Sequence, residues 1–127
     1  MTIARDTTAS NIKPLSGSIV RRHTSGDAVA AGEIVSLQDD GYVDPSNMGS
    51  GADEAIGIAV QAAAAAGEVI DVVVFGPVKC LTGATPGKTV FNSASAGEPT
   101  ETDASNETAI GYAKSTTVLF VLPEHLV

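Results

Sequence analysis

The stretch "AIGIAVQAAAAAGEVIDVVVFG", residues 55–76, is the most apolar run of the chain, and its reading decides the fold. It admits a helix built on five alanines, a membrane span, or two strands joined by a turn. Glu68 and Asp71 interrupt it, so it is not an unbroken apolar span. Ile56, Ile58 and Val60 alternate with Ala55, Gly57 and Ala59. That is period two, a strand with one bulky and one small face. In "VIDVVVF", Ile70, Val72 and Val74 share one face and Asp71 takes the other. "QAAAAAG" is too short to nucleate more than one helical turn before Gly67. The stretch therefore reads as two strands joined by a short turn or a single helical turn.

The same texture continues outward. From Ile19 on, short apolar runs rich in Val, Ile and Thr are punctuated by Gly, Pro, Asp and Ser: "GDAVAAGEIVSL", "GKTVFN", "AIGYA", "TTVLFVLP". Runs of this length, bounded by turn formers, predict strands. "LQDDGYVD" predicts a hairpin, since Asp-Gly supplies the positive φ of a tight turn. The chain also repeats itself loosely. "GDAV" at Gly26 recurs as "GKTV" at Gly87, and "AIGIA" at Ala55 recurs as "AIGYA" at Ala109, at offsets of 61 and 54 residues. In a duplicated unit, the A-I-G-x-A strand presents a nearly flat face where another backbone can approach. Residues 1–18 are polar with scattered single apolar residues, which predicts an extended arm ahead of a β-rich domain over 19–127.

Composition narrows the function. The 127 residues include three Phe, two Tyr and no Trp, so a core of Ala, Val and Ile is thin and implies cover by another chain. The net charge is −8, but residues 1–22 carry Arg5, Lys13, Arg21 and Arg22 against Asp6 alone. The remaining body is strongly acidic, which argues against binding nucleic acid, while the basic stretch suits an acidic partner surface. Cys80 is the single cysteine, so the chain closes no internal disulfide. No secretory or membrane-spanning pattern is present, and the expectation is a soluble protein.

Candidate chemistry is sparse. "GATPGKT", residues 83–89, imitates a phosphate-binding loop but has one residue too few between its glycines and no helix after it. A turn at Pro86-Gly87 explains it. His23, His125 and Cys80 show no zinc spacing. Asp39, Asp40 and Asp44 lack the alternating ligands of a calcium loop and fit hairpin-turn chemistry. No G-x-S-x-G elbow occurs, and Cys80 reads as a small buried hydrophobe. The expectation is a protein that binds and holds, with no cofactor, no metal and no catalytic residue.

The order "GDAVAAGEIVSL", "AIGIAVQAAAAAGEVIDVVVFGPV", "PGKTVFNSASAGEPTET", "AIGYAKSTTVLFVLP" resembles the capsid cement, or head decoration, proteins of tailed bacteriophages, the lambda-type protein among them. The resemblance covers about residues 19–123. It implies a mostly β fold, a small β-tulip or partial barrel with loosely duplicated strand units and an extended N-terminal arm. It further implies a structural virion protein, made in the bacterial host cytoplasm. As a homo-oligomer, a trimer by the resemblance, such a protein sits on the outer capsid surface and clamps neighbouring major capsid subunits. The arm is longer and more basic here than in many such proteins, and "SNMGSGADEA" lengthens the loop before Ala55. The expected capsid contacts are Ile3, Arg5, Ile12, Lys13, Leu15, Arg21 and Arg22. The alternatives are a β-domain fibre, adhesin or carbohydrate-binding module, and a small hydrolase using Cys80.

Overall fold

Valine, isoleucine and threonine runs form antiparallel strands almost everywhere in the computed structural model, which describes residues 2–47, 55–103 and 107–123. In chain order the strands are β1 (Ala4–Arg5), β2 (Lys13–Pro14), β3 (Ile19–Thr24), β4 (Ile34–Leu37), β5 (Val43–Pro45), β6 (Ala55–Ala59), β7 (Val69–Lys79), β8 (Leu81–Thr82), β9 (Thr89–Asn92), β10 (Pro99–Thr100), β11 (Ala109–Ala113) and β12 (Val118–Val121). The described residues contain no α-helix, only a 3₁₀ turn at Ala9–Asn11, and no helix long and apolar enough to cross a membrane. Eight strands make one curled antiparallel sheet, in the order β10-β9-β11-β12-β7-β6-β4-β5. This is the mostly β partial barrel expected. The opening stretch is β6, a turn and β7. Its alanines form no helical turn: Ala63 bridges to Val29 and Gly67, at φ 95°, closes the turn. The Asp-Gly hairpin also forms, with Gly41 at φ 87° between β4 and β5.

The duplication is visible in the pairing. In the first unit β3 pairs with β7, β7 with β6, β6 with β4 and β4 with β5. In the second, β7 pairs with β12, β12 with β11, β11 with β9 and β9 with β10. The long strand β7 therefore closes the first unit with its N-terminal half and opens the second with its C-terminal half. Registers repeat too. Val35 faces Gly57 as Val90 faces Gly111, and both ladders skip the isoleucine before that glycine, Ile56 and Ile110. One correction follows. The counterpart of "GKTV" is "GEIV" at Gly32, not "GDAV" at Gly26, because Gly32 and Gly87 make the same positive-φ turn (91° and 88°) into the first ladder strand. The offset is then 55 residues there and 54 at the A-I-G-x-A strands.

The A-I-G-x-A glycines allow close strand approach, as the sequence implied. A Cβ at Gly57 would collide with the carbonyl oxygen of Val73, and one at Gly111 with that of Phe120. The two units then pack asymmetrically. Ile34, Ile58 and Val73 on one face of the first unit share the main core with Val90, Ala113, Leu119 and Val121 of the second. The other face of the first unit, with Val35, Ala59, Ile70 and Val72, forms a separate cluster under Val29 and Ala63. In register, Val35 and Ala59 correspond to Val90 and Ala113. The units are thus stacked front to back, like two layers of one motif.

The polar segment before Ile19 does not stand away from the body. Ile3 and Ile12 are buried in the main core. β1 pairs with β8 and β2 with β7, and the N–H groups of Asp6 and Leu15 donate to the carbonyls of Cys80 and Pro77 at 2.9 and 3.0 Å. Arg5 completes the clasp: its Nε donates to Glu98 at 2.8 Å and an Nη to the Ala31 carbonyl at 3.3 Å. A second tie is polar. Within the fully buried trio Ser36, Ser46 and Asn92, the Ser36 hydroxyl and the Asn92 amide both donate to Ser46 Oγ, at 2.6 and 2.9 Å, joining the two units.

Candidate functional site

None of the five aromatic side chains is buried in the core. Three of them meet on the outer face of the second unit. Alternation along β12 sends Leu119 and Val121 inward and Phe120 outward. Phe120 lies opposite Tyr112 across β11 and opposite Pro77 across β7. Its ring stacks on Tyr112 (centroids 5.3 Å apart, planes 14° apart) and takes Phe75 edge-on (5.3 Å, 81°). Both are favourable aromatic geometries. Phe75 is 37% exposed, Tyr112 40%, and Ile19, which faces Phe75 across β3, is 40% exposed. Leu122 adds a further exposed apolar residue beyond the end of β12. A contiguous apolar face of this kind marks an interaction surface more often than scattered exposed residues do.

Cations rim the face. Lys79 and Val118 are register partners one step along the same side of the ladder from Pro77 and Phe120. Lys13 is the register partner of Lys79 across β2. Two like charges directly opposed on a ladder repel, and an anion between them relieves the cost. Asp6 partly answers this: the Thr8 N–H and the Asn11 amide hold its carboxyl below the usual range, and Lys79 and Arg5 add to the effect. Lys114 follows two residues after Tyr112. The first unit carries exposed acids without such cations. No Lys or Arg occurs between Arg22 and Lys79, whereas Asp27, Asp39, Asp40 and Glu68 are all exposed there.

No protein-family model matches the chain, and no curated protein is significantly similar to it.

The seven expected contact residues are not brought together. Ile3 and Ile12 leave the set, because the chain's own core consumes them. Arg5 is tied to Glu98 and Ala31. Leu15 is half-buried, Lys13 joins the rim of the aromatic face, and Arg21 and Arg22 are exposed on β3. Arg22 stands opposite Asp71, 3.7 Å from it, a solvent-exposed pair of little energetic weight.

Cys80 is fully buried, and burial pushes its thiol far above the usual cysteine range, so it lacks the thiolate that nucleophilic attack requires. His23 is partly buried, and burial lowers its pKa. Residues 83–86 and Thr116 line an open pocket of about 360 Å³ at the phosphate-loop look-alike. Its amides are already used: the Thr85 N–H donates to Glu101 at 2.7 Å and the Gly87 N–H to the Ala113 carbonyl at 2.8 Å. The Thr85 N–H and hydroxyl are thus both committed to the chain's own Glu101 carboxylate. Asp40 accepts the Tyr42 N–H at 2.9 Å, the hairpin chemistry expected. Among the described residues, no group of three or more His, Cys, Asp and Glu side chains is placed to hold a metal. His125 and most of the loop before Ala55 lie outside the described residues.

Sequence reasoning missed Phe75, Tyr112 and Phe120. The available signal was the aromatic at the x of the second A-I-G-x-A, where the first copy carries Ile58.

Proposed function

We propose that the chain is a structural assembly protein of a tailed-phage virion. On this reading it cements contacts between major capsid subunits from the outer capsid surface, as a homo-oligomer and without catalysis. The observation that carries the reading is the exposed aromatic face. A chain with only five aromatic residues places none in its core and stacks three on its surface. Such side chains supply large contact area at low entropic cost, which an adhesive surface needs and an isolated domain does not. The resemblance of the sequence motifs, in their order along the chain, to head decoration proteins suggests the partner. The exposed cations of Lys13, Arg21 and Arg22 remain the contacts offered to an acidic capsid surface.

The test is co-sedimentation with purified phage heads. The expected result is saturable binding to expanded capsids and none to unexpanded precursors, with bound heads surviving heat that ruptures bare ones. A folded protein that binds neither form overturns the reading. The same exposed rings favour a second reading, a carbohydrate-binding module in which Tyr112 stacks against a sugar. Specific hits on a glycan array, lost in Tyr112→Ala, support that reading instead.

A further inference from the structure

The front-to-back stacking of the two units leaves two unlike ends. Inside the chain, the front of the first unit (Ile34, Ile58, Val73) is covered by the back of the second. The counterparts of that front in the second unit are Thr89, Tyr112 and Phe120; among the described residues Thr89 and Tyr112 are exposed, and Phe120 is half-buried against the Tyr112 and Phe75 rings. At the other end, the back of the first unit is sealed by its own alanine loop, which exposes Ala62 and Ala64 through Ala66 and is flanked by Asp27 and Glu68. One end is aromatic and cationic. The other is small-residue, apolar and acidic.

We propose that these ends are partners: the aromatic front of the second unit docks on the acidic, alanine-lined back of the first unit in another copy of this chain. Two observations carry this. The contact extends the stack in the same front-to-back direction, with the alanine loop of one copy taking the place of the sheet back that the second unit presents within the chain. The charges also match, with Lys13, Lys79 and Lys114 around the front and Asp27, Asp39, Asp40 and Glu68 around the back. Arg22, opposite Asp71, and then Arg21 are the exposed cations nearest that end, both on the flanking strand β3. A contact between unlike surfaces is heterologous, and it produces a discrete oligomer when successive copies close into a ring. The inference rests on reading the aromatic face as an interaction surface, but it concerns contacts between copies and does not require a capsid.

Native mass spectrometry and sedimentation equilibrium test it on the full chain alone. Wild-type protein should form a discrete oligomer that weakens as salt screens the rim charges. A front variant, Tyr112→Glu with Lys79→Glu, should lose self-association by roughly tenfold or more. So should a back variant, Asp27→Lys with Asp39→Lys. Circular dichroism matching the wild type confirms that each is folded. The decisive sample is the mixture. The front variant keeps an intact back and the back variant an intact front, so the mixture should regain, with one variant bound to the other, the association that each lacks alone. A monomeric wild type overturns the proposal. So does a back variant that assembles normally while the front variant does not, since that result means front meets front. Capsid binding by a monomeric wild type would leave the cement reading standing and this inference refuted.

Discussion

Gly57 and Gly111 give the sharpest check on the duplicated architecture. An ideal Cβ at Gly111 overlaps the Phe120 carbonyl oxygen and lies only 3.0 Å from its carbon and 3.1 Å from the Leu122 nitrogen. At Gly57 the Cβ overlaps the Val73 oxygen and lies 2.8 Å from Val72 Cγ1. The blocking atoms are mainly backbone, so no rotamer change relieves the clash. Ordinary contact begins at 3.4 Å, so the strands must part by about 1 Å, in a core that packs densely. Overpacking costs ~1–3 kcal/mol, and weakening one ladder hydrogen bond adds ~1 kcal/mol. Gly57→Ala should therefore lose about 2–4 kcal/mol. Gly111→Ala should lose somewhat more, since its φ of 153° also strains any side chain. Against a total stability of about 5–15 kcal/mol either loss is large. The control is Gly87→Ala, whose Cβ meets open space and bears only the ~1 kcal/mol cost of positive φ. Urea unfolding followed by far-ultraviolet circular dichroism measures all three. If Gly57→Ala and Gly111→Ala unfold at the midpoint of Gly87→Ala, the close-approach argument for both units fails.

Three further outcomes are expected. Ile12→Ala should lose ~2–4 kcal/mol in the same assay, because Ile12 is a core residue; no loss would mean that the segment before β3 is detached in solution. Ser46→Ala should lose about 1–3 kcal/mol, since Ser36 and Asn92 both donate to the hydroxyl it removes, and Ser46→Thr should restore part of it. Burial raises the pKa of Glu33 above its ordinary 4.5, so the fold favours the protonated acid. Its stabilising contribution is complete below the unfolded pKa and is lost as pH rises through the raised folded value. Glu33→Gln, which keeps an acceptor for the Ala30 N–H, should stabilise the protein near neutral pH and make no difference in acid, a contrast read from urea midpoints at the two pH values.

The strands were legible because each is a short period-two run between turn formers, and the Asp-Gly hairpin because only a few residues supply its dihedrals. Identity alone does not place the first anchor of the repeat, because "GDAV" at Gly26 and "GEIV" at Gly32 share the same Gly and Val with "GKTV" at Gly87, and only conformation separates them. Gly26 is not a positive-φ glycine, whereas Gly32 and Gly87 are. The segment before β3 escaped because its two strands are two residues each, too short to show a period, so Ile3 and Ile12 read as isolated apolar residues on an exposed arm. The aromatic face escaped for a different reason. Alternation in "TVLFVLP" says that Leu119 and Phe120 point opposite ways but not which way is inward, and composition made every large apolar side chain look needed for the core.

That ambiguity is a consequence of duplication. Two copies of one antiparallel motif have two fronts and two backs, and stacking them buries one of each. The remaining front and back must be handled by side chains, because the repeated backbone treats them alike. The first unit seals its back with an insertion: nine residues join β6 to β7, against four between β11 and β12. Val29 and Ala63 close over the valines beneath. Among the described residues no loop covers the front of the second unit in this way, and there the sequence substitutes Tyr112 for Ile58 at the matching register. Replacing an aliphatic core position with a large amphipathic ring at an uncovered face is costly for a solitary domain and favourable for one that meets a neighbour. The asymmetry between a sealed back and an open aromatic front therefore supplies a physical reason for the chain to act as a component of an assembly.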